Sequence, residues 1–581
     1  MKIKNKLYGI LAGTACLLSV TSCNVDPEFY TQTAPETFYT SQDAVWQRFN
    51  RPFTHWRWYA GHHEARWAMQ ELGTDEYCLP TRGSDWFDGG AYQKWHHHEY
   101  TSSLSGYFND ANKNVGMGVA LAWDALEDIS QIDFDKLGFP AGTRESMLAQ
   151  QQILAASLLL DGLDIFGGQP LYRSTREELK PRSSSLETFE FIDSLITEAL
   201  PVLPVKNELG AMETSAPFAA VGAALRARLY FNAETYIGKP MYNEAAQICQ
   251  DIIDGKYGKY ALEQDWTQVY GFNNGTSTEI IWSVVSENAK TESGSSLSTW
   301  LMHYNYGNYL GGLEGLGHNN GICLTPSLDP QGRPYSGAPY NYKLGSPFEK
   351  FHEKDIRKQN YVYLGNAQFK GMFVVGELVN PLNPDWVCTG GREYAGEVLT
   401  IVDQIARFSE VGKADKETGE VKYPTVESLP SNIGTAEESS GVRLAKHWVL
   451  PDVNDAKLRG NADIPVIRLA EMYYTLAECK YRSGDAEGAA ELINKVRARY
   501  FEGADPDPVT AANLDKYRFL DEWMMEFIGE GRRRTDLIRW NAYVTEDWWD
   551  HKATNNPNFN LMPIHYSIMG ANNLLEQNPG Y

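Results

Sequence analysis

The sequence predicts a mostly α fold in which tetratricopeptide-type helix pairs form a scaffold around a loop-rich segment at about residues 256–445. Two observations predict it. Apolar residues recur at helical spacing in pairs of segments separated by Gly- or Pro-containing breaks. Between those pairs the composition turns to Gly, Pro, Asn and Tyr, a texture that marks functional loops when it runs for long stretches.

The chain opens with "MKIKNKLYGILAGTACLLSVTSCN", where Lys2, Lys4 and Lys6 precede an apolar run and small residues leading to Cys23. That is a secretory signal pattern, excluded from fold reasoning. Its apolar run is short of the roughly 20 residues a membrane-spanning helix needs. "VTSC" resembles a bacterial lipobox, which makes residues 1–22 a lipoprotein signal peptide, Cys23 the lipidated residue, and 23–40 anchor and spacer. The remainder, 41–581, reads as one domain tethered to its membrane by lipid rather than spanning it.

The next distinctive stretch is "EYCLPTRGSDWFDGGAYQKWHHHEY", residues 76–100. The run His96 to His98 suggests metal, since imidazole is the commonest ligand. Consecutive residues, however, point to different sides of a strand or helix, and the one-turn pair of H-E-x-x-H is absent. No metal is expected here.

Helix pairs follow. "QQQILAASLLLDGLDIFG" and "LETFEFIDSLITEALPVLP" form a loose pair, and a second is split by Gly238-Lys239-Pro240 and ends at Gly255. The clearest is "IPVIRLAEMYYTLAECKYRSGDAEGAAELINKVRARY". Leu469, Met472, Tyr473 and Leu476 share one face, Ser483-Gly484-Asp485 breaks the pattern, and Ala489, Leu492, Ile493 and Val496 share the next face. The strict register of about 34 residues is not kept. Within the loop-rich segment, "TWLMHYNYGNYLGG" sets Trp300, Tyr304, Tyr306 and Tyr309 among glycines, and Glu410 to Ser440 reads as a solvated insertion.

Near the C-terminus, "FLDEWMMEFIGEGRRRTDLIRW" places Leu520, Trp523, Met524, Phe527 and Ile528 on one helical face. Its Gly529-Glu530-Gly531 follows a helix, so it lacks the strand-to-helix context of a dinucleotide fingerprint. Arg532 to Arg534 instead suggest a local ion-pair network with Glu526, Glu530 and Asp536. Cys78, Cys249, Cys323, Cys388 and Cys479 are odd in number and contain no C-x-x-C, which argues for buried thiols over a zinc site or disulfide framework.

The formal net charge of −23 disfavours nucleic acid and anionic surfaces as partners and favours a neutral ligand. Sixteen tryptophans and 33 tyrosines exceed the needs of core packing and suit ring stacking. A surface glycoside hydrolase needs two carboxylates facing across the scissile bond, which the adjacent Asp75 and Glu76 cannot supply. An adhesive lipoprotein whose aromatic loops contact another protein is a further alternative.

Four places together resemble the SusD/RagB family of outer-membrane nutrient-binding lipoproteins: the lipobox at Cys23, "RLAEMYYTLAEC" with "GDAEGAAELINKVRAR", "DEWMMEFIGEGRRRTDLIRW", and the ending "NNLLEQNPGY". "TDEY" at 74–77 and "IFGGQPLY" at 165–172 add to it. The resemblance implies a SusD-like fold without catalytic activity or cofactor. It also implies capture of an oligosaccharide or polysaccharide, with peptide as the alternative, and a SusC-like TonB-dependent transporter as partner. A fructan or an α-glucan fits as ligand. Mapping the starch-binding type of site onto this chain implies Asp75, Arg82 and one or both of Trp86 and Trp95 as ligand contacts, with His97 beside them. Burial of both tryptophans in the core is the competing reading. Trp300 and Tyr304, by aromatic density, and Arg392 in "TGGREYAGE", where glycines admit a ligand, complete the candidates.

Overall fold

The computed structural model describes residues 38–581 except 105, 211–213, 287–299, 305–318, 330–331, 336–340, 366–367, 380–383, 389–395, 407–416, 419–430 and 447–461. Numbering helices of seven or more residues, the order is α1 (Gln42–Gly61), α2 (Gly106–Gln131), α3 (Thr143–Phe166), α4 (Ser185–Ala199), α5 (Ala219–Phe231), α6 (Tyr242–Ile253), α7 (Leu469–Arg482), α8 (Ala486–Arg497), α9 (Lys516–Phe527) and α10 (Arg533–Arg539). Each from α1 to α7 packs on the next, so the helix pairs stack in one series.

Local chemistry sets several helix starts. Ser41 Oγ accepts from Ala44 N at α1, Ser184 and Glu187 form a capping box at α4, Asp485 accepts from Gly488 N at α8, and Asp515 from Arg518 N at α9. Such caps satisfy N–H groups that have no intrahelical partner. Close packing then depends on small residues. A Cβ on Gly222 of α5 would lie 3.2–3.3 Å from Leu203, Ile153 and Leu200.

α6 and α7 are neighbours in space although 215 residues separate their facing ends, Ile253 and Leu469. The chain between them is an excursion from the scaffold. Its departure and return are zipped together by the antiparallel pair β2 (Ile280–Val284) and β10 (Ile464–Arg468). At that junction Arg468 binds Glu279 at 3.0 Å, Glu526 at 2.6 Å and Glu530 at 2.9 Å, while Arg499 adds Glu526 at 2.8 Å and also meets Glu279. Buried charges persist only when paired in this way.

The other ladders are also two-stranded and antiparallel: β1 (Tyr77–Cys78) with β3 (Cys323–Leu324), β4 (Val362–Gly365) with β5 (Gln368–Lys370), β6 (Phe373–Val374) with β9 (Arg443–Leu444), and β7 (Gly376–Glu377) with β8 (Thr400–Ile401). The excursion is more than loop. Trp266, Phe272, Tyr361, Phe369 and Phe373 form a core there with Trp67, Tyr77 and Trp95 from the N-terminal part.

Two expectations are corrected. Within the supposed solvated insertion, Glu437, Glu438, Ser439 and Ser440 are buried: the carbonyls of Glu437, Glu438 and Ser440 receive arginine side chains and that of Ser439 accepts from Val402 N. The cluster Arg532 to Arg534 is only partly local. Arg532 pairs with Asp536 at 2.8 Å, whereas Arg533 and Arg534 reach Asp75 and Asp164. Glu526 and Glu530 are taken by Arg468. The chain ends 1–37, with Cys23, lie outside the described residues.

Candidate functional site

The "TDEY" segment is fixed from below. Asp75 is fully buried and accepts from Arg533 Nε and Nη2, each at 2.7 Å, and from Gly345 N at 2.9 Å. Burial alone would raise its carboxyl pKa, but the Arg533 guanidinium outweighs this and holds it below the usual range. Glu71 accepts from Gly531 N and Arg532 N at 2.7 and 3.0 Å. Burial pushes the Glu71 carboxyl up to about 7 and drives its neighbour Glu76 well above its ordinary value.

Arg82 is a second anchor. Its Nη1 donates to the carbonyls of Glu437 and Ser440, the latter at 2.9 Å, and its Nη2 to Gly321 O at 3.4 Å. Above it the backbones of Arg82 and Asp85 exchange hydrogen bonds at 3.0 and 2.9 Å, closing a two-residue turn over Gly83 and Ser84. Gly83 has φ of +61°, a conformation glycine adopts at no steric cost. The turn thus carries Asp85, Trp86 and Phe87 outward from a buried base.

Trp86 is half-buried and also sits at positive φ, +63°. Its Nε1 donates to Asn319 O at 3.1 Å, and its ring lies 4.5 Å from that of Trp300 at an interplanar angle of 49°. Such tilted aromatic pairs are favourable beyond the area they bury. Gly321 makes this possible, since a Cβ there would lie 2.9 Å from Trp86 Cε2. Trp300 O in turn accepts from Gly321 N and Ile322 N at 2.9 and 3.1 Å. Tyr304 donates its hydroxyl to Asp85 Oδ2 at 2.9 Å, and Phe87 beside Trp86 is 53% exposed. Of the residues expected from the sequence, Trp86 and Trp300 therefore meet as an aromatic pair, and Tyr304 is joined to the same turn through Asp85.

The remaining candidates fare differently. Asp75 and Arg82 are corrections, since the structure buries both: the Asp75 carboxylate is held by Arg533 and Gly345 N, and the Arg82 Nη atoms by backbone carbonyls and Cys323 Sγ, so both lie beneath the turn instead of on its exposed face. Trp95 is a correction as well. It is 1% exposed, in the short helix Ala91–His96, against Phe108 at 4.7 Å. Half-exposed His97 is held by Asp550 at 3.3 Å, a hydrogen bond that raises its pKa. Arg392, Tyr306 and Tyr309 lie outside the described residues.

The other two histidines are buried. His96 Nε2 lies 3.0 Å from Trp549 O and His98 Nε2 2.8 Å from Gly73 O, while His551 Nδ1 lies 2.7 Å from His96 O. Burial pushes His96 down to about 4 and His98 to about 3, and holds His551 far below its ordinary value. Among the described residues no group of three His, Cys, Asp or Glu side chains is arranged to hold a metal ion.

Sequence reasoning missed Asp85, Phe87 and Gly321 as site-forming. The first two were accessible, since the Arg-Gly-Ser-Asp turn and the adjacent Trp-Phe pair mark an outward tip. Gly321 gave no local signal, because its role is set by a ring 235 residues away in the chain.

Comparison with known proteins identifies the class. Residues 232–581 match the SusD family, and this chain belongs to that family. Its members are binding proteins, and the chain is not an enzyme. Among relatives, the starch-binding protein SusD of Bacteroides thetaiotaomicron is 26% identical over 442 residues, covering 72% of this chain and 70% of that one. Among solved structures, a SusD superfamily protein of Parabacteroides distasonis superposes with a TM-score of 0.63 at 16% identity, covering 93% of this chain and 99% of its own. Surface glycan-binding protein A of Bacteroides fluxus does so with a TM-score of 0.61 at 18% identity, covering 93% and 100%. Both share the mostly helical fold. No helix of the described residues is long and apolar enough to cross a membrane.

Proposed function

We propose that this chain captures an oligosaccharide or polysaccharide at the cell surface and passes it to a SusC-like TonB-dependent transporter of the outer membrane. Trp86, Trp300 and Tyr304 form the binding platform. The observation that carries the reading is the tilted Trp86–Trp300 pair, held partly open on a turn that is anchored from beneath by buried Arg82. Indole faces stack on the apolar C–H face of a sugar ring, and the Asp85 carboxylate accepts from hydroxyls, the mixture of aromatic lining and few placed polar groups that small-ligand sites use. The net charge of −23 favours a neutral chain over an anionic one. The relative named as starch-binding supports an α-glucan, and a fructan presents the same stacking chemistry. Arg392 joins the site in this reading, and lipidation of Cys23 supplies the tether.

Affinity electrophoresis of the mature chain against a polysaccharide panel tests the proposal. At least one neutral glycan should retard it. Trp86→Ala should weaken retardation about thirtyfold, the roughly 2 kcal/mol typical of an aromatic anchor. Equal retardation of wild type and a Trp86→Ala/Trp300→Ala double variant would remove the platform from the binding site. The transporter arm has its own readout, co-purification of a large β-barrel from gently solubilised membranes.

A further inference from the structure

Two thiols face each other directly beneath the aromatic platform. Cys78 of β1 and Cys323 of β3 are register partners in an antiparallel ladder, and their sulfurs are 3.7 Å apart. Directly opposed residues of such a ladder have Cα atoms about 4.5–5.5 Å apart, inside the roughly 4.4–6.8 Å window a disulfide accepts. Closing the remaining gap to about 2.05 Å is a side-chain movement that needs no shift of register. A Cβ on Gly441 would lie 2.5 Å from Cys323 Sγ, so glycine at this position is what leaves room for the sulfur.

The surroundings activate one of the two sulfurs. Arg82 Nη2 donates to Cys323 Sγ at 3.4 Å, and the buried guanidinium of Arg443 lies close by. Burial alone would raise the Cys323 pKa. The Cys78 hydrogen bond and the two guanidinium charges instead bring it down to about 6, while burial drives Cys78 well above its ordinary value. A nucleophilic thiolate beside a resolving thiol is the arrangement thiol–disulfide exchange requires.

We propose that Cys78 and Cys323 close to a cross-strand disulfide when the chain meets a disulfide donor in an oxidising compartment. The Cys323 thiolate attacks one sulfur of the donor, forming a mixed disulfide and releasing the donor's first thiolate. Cys78 then loses its proton to that thiolate and attacks Cys323 Sγ, expelling the second thiolate, which is protonated from water. Two electrons pass from the pair to the donor, and one sulfur–sulfur bond is exchanged for another. The bond would join residues 245 apart and fasten the segment bearing Trp86 to the segment bearing Asn319 and Gly321, on which the indole rests. Its formation needs no ligand and is independent of the glycan reading.

Both sulfurs are buried, so exchange passes through local opening. The test therefore incubates the purified full chain with oxidised glutathione, in buffer and in sub-denaturing urea. The chain is then denatured in an alkylating reagent, and all five cysteines from Cys78 to Cys479 are mapped by mass spectrometry. The expected result is a linked Cys78–Cys323 peptide, with Cys249, Cys388 and Cys479 alkylated, and a return to five alkylated cysteines after reduction. Cys78→Ser should leave no crosslink and a glutathione adduct at Cys323. Alkylation of both Cys78 and Cys323 in the treated wild type, or a crosslink to another cysteine, overturns the proposal. The wild-type map decides even if the variant does not fold.

Discussion

His98 offers a stability prediction whose size follows from its surroundings. Its ring is 1% exposed, bonded to Gly73 O at 2.8 Å and packed 4.2 Å from Tyr543 and 4.3 Å from His551. Burial pushes its pKa down to about 3, with His96, Arg534 and His97 adding unfavourable charge. The unfolded chain takes up this proton below pH 6.5 and the folded chain does not until about pH 3. The contribution is thus complete above pH 6.5 and is lost as the pH falls through that window. At pH 5 the folded ring is still neutral while the unfolded one is charged, so the loss is set by the unfolded value alone. Over 1.5 pH units it comes to about 2 kcal/mol.

The wild-type curve will not display this loss by itself, because Glu71 and Asp403, both pushed up to about 7 by burial, act in the opposite direction. Their folded forms hold protons that the unfolded chain has released, so they gain stability as the pH falls from 7 toward 4.5. The informative quantity is a difference between two proteins. His98→Asn keeps a residue tolerant of the local φ of +56° and removes the titration. Its lost contacts subtract a constant at every pH. Denaturant unfolding followed by tryptophan fluorescence at pH 8 and pH 5 should show the variant losing about 2 kcal/mol less than wild type over that interval. Parallel losses in the two proteins would refute the argument that this imidazole is held neutral.

Breaking the fully buried Asp75–Arg533 pair with Arg533→Met should cost about 3–5 kcal/mol in denaturant unfolding, because it strands a carboxylate; a cost below about 1 kcal/mol would show the pair to be solvated. Gly321→Ala should displace the Trp86 ring and weaken glycan retardation in affinity electrophoresis several-fold, and unaltered binding would detach Trp86 from its backbone seat. Cys23→Ala should move the chain out of the membrane fraction in cells lacking the transporter, and continued full membrane association there would exclude the lipid as tether.

The scaffold was legible because its information is local. The 3.6-residue periodicity of Leu469, Met472, Tyr473 and Leu476, the break at Ser483-Gly484-Asp485 and the cap at Asp485 all lie within one helix pair, and the structure forms α7 and α8 there. The excursion was legible only by texture. Its boundaries are set by the β2–β10 ladder and by Arg468 with Glu279, pairings across nearly 190 residues that no window of sequence displays. The same limit divided the site candidates. Trp86 was named through the family resemblance and Trp300 and Tyr304 through aromatic density, whereas the burial of Asp75, Arg82 and Trp95 depended on Arg533, Glu437 and Phe108, which are distant or unremarkable in the chain.

That division has a physical cause. A turn that must present Asp85, Trp86 and Phe87 to solvent while keeping one geometry needs its base immobilised, and immobilisation demands buried, hydrogen-bonded polar groups close by in the chain. Asp75 on Arg533 and Arg82 on the carbonyls of Glu437 and Ser440 supply this. Composition cannot separate such anchors from ligand contacts, since both are Asp, Arg and Trp within a dozen residues. The arginine run after α9 belongs to the same construction. Arg533 pins Asp75, the backbone N–H groups of Gly531 and Arg532 bind Glu71, and Arg534 reaches Asp164 at the end of α3. A motif that identifies the family in sequence therefore acts as the foundation of the segment that leads into the 82–87 turn. Charge changes within 531–534 should disturb binding through the position of the 82–87 turn, with loss of stability accompanying loss of affinity. Changes at Trp86 or Trp300 should lower affinity with the fold intact.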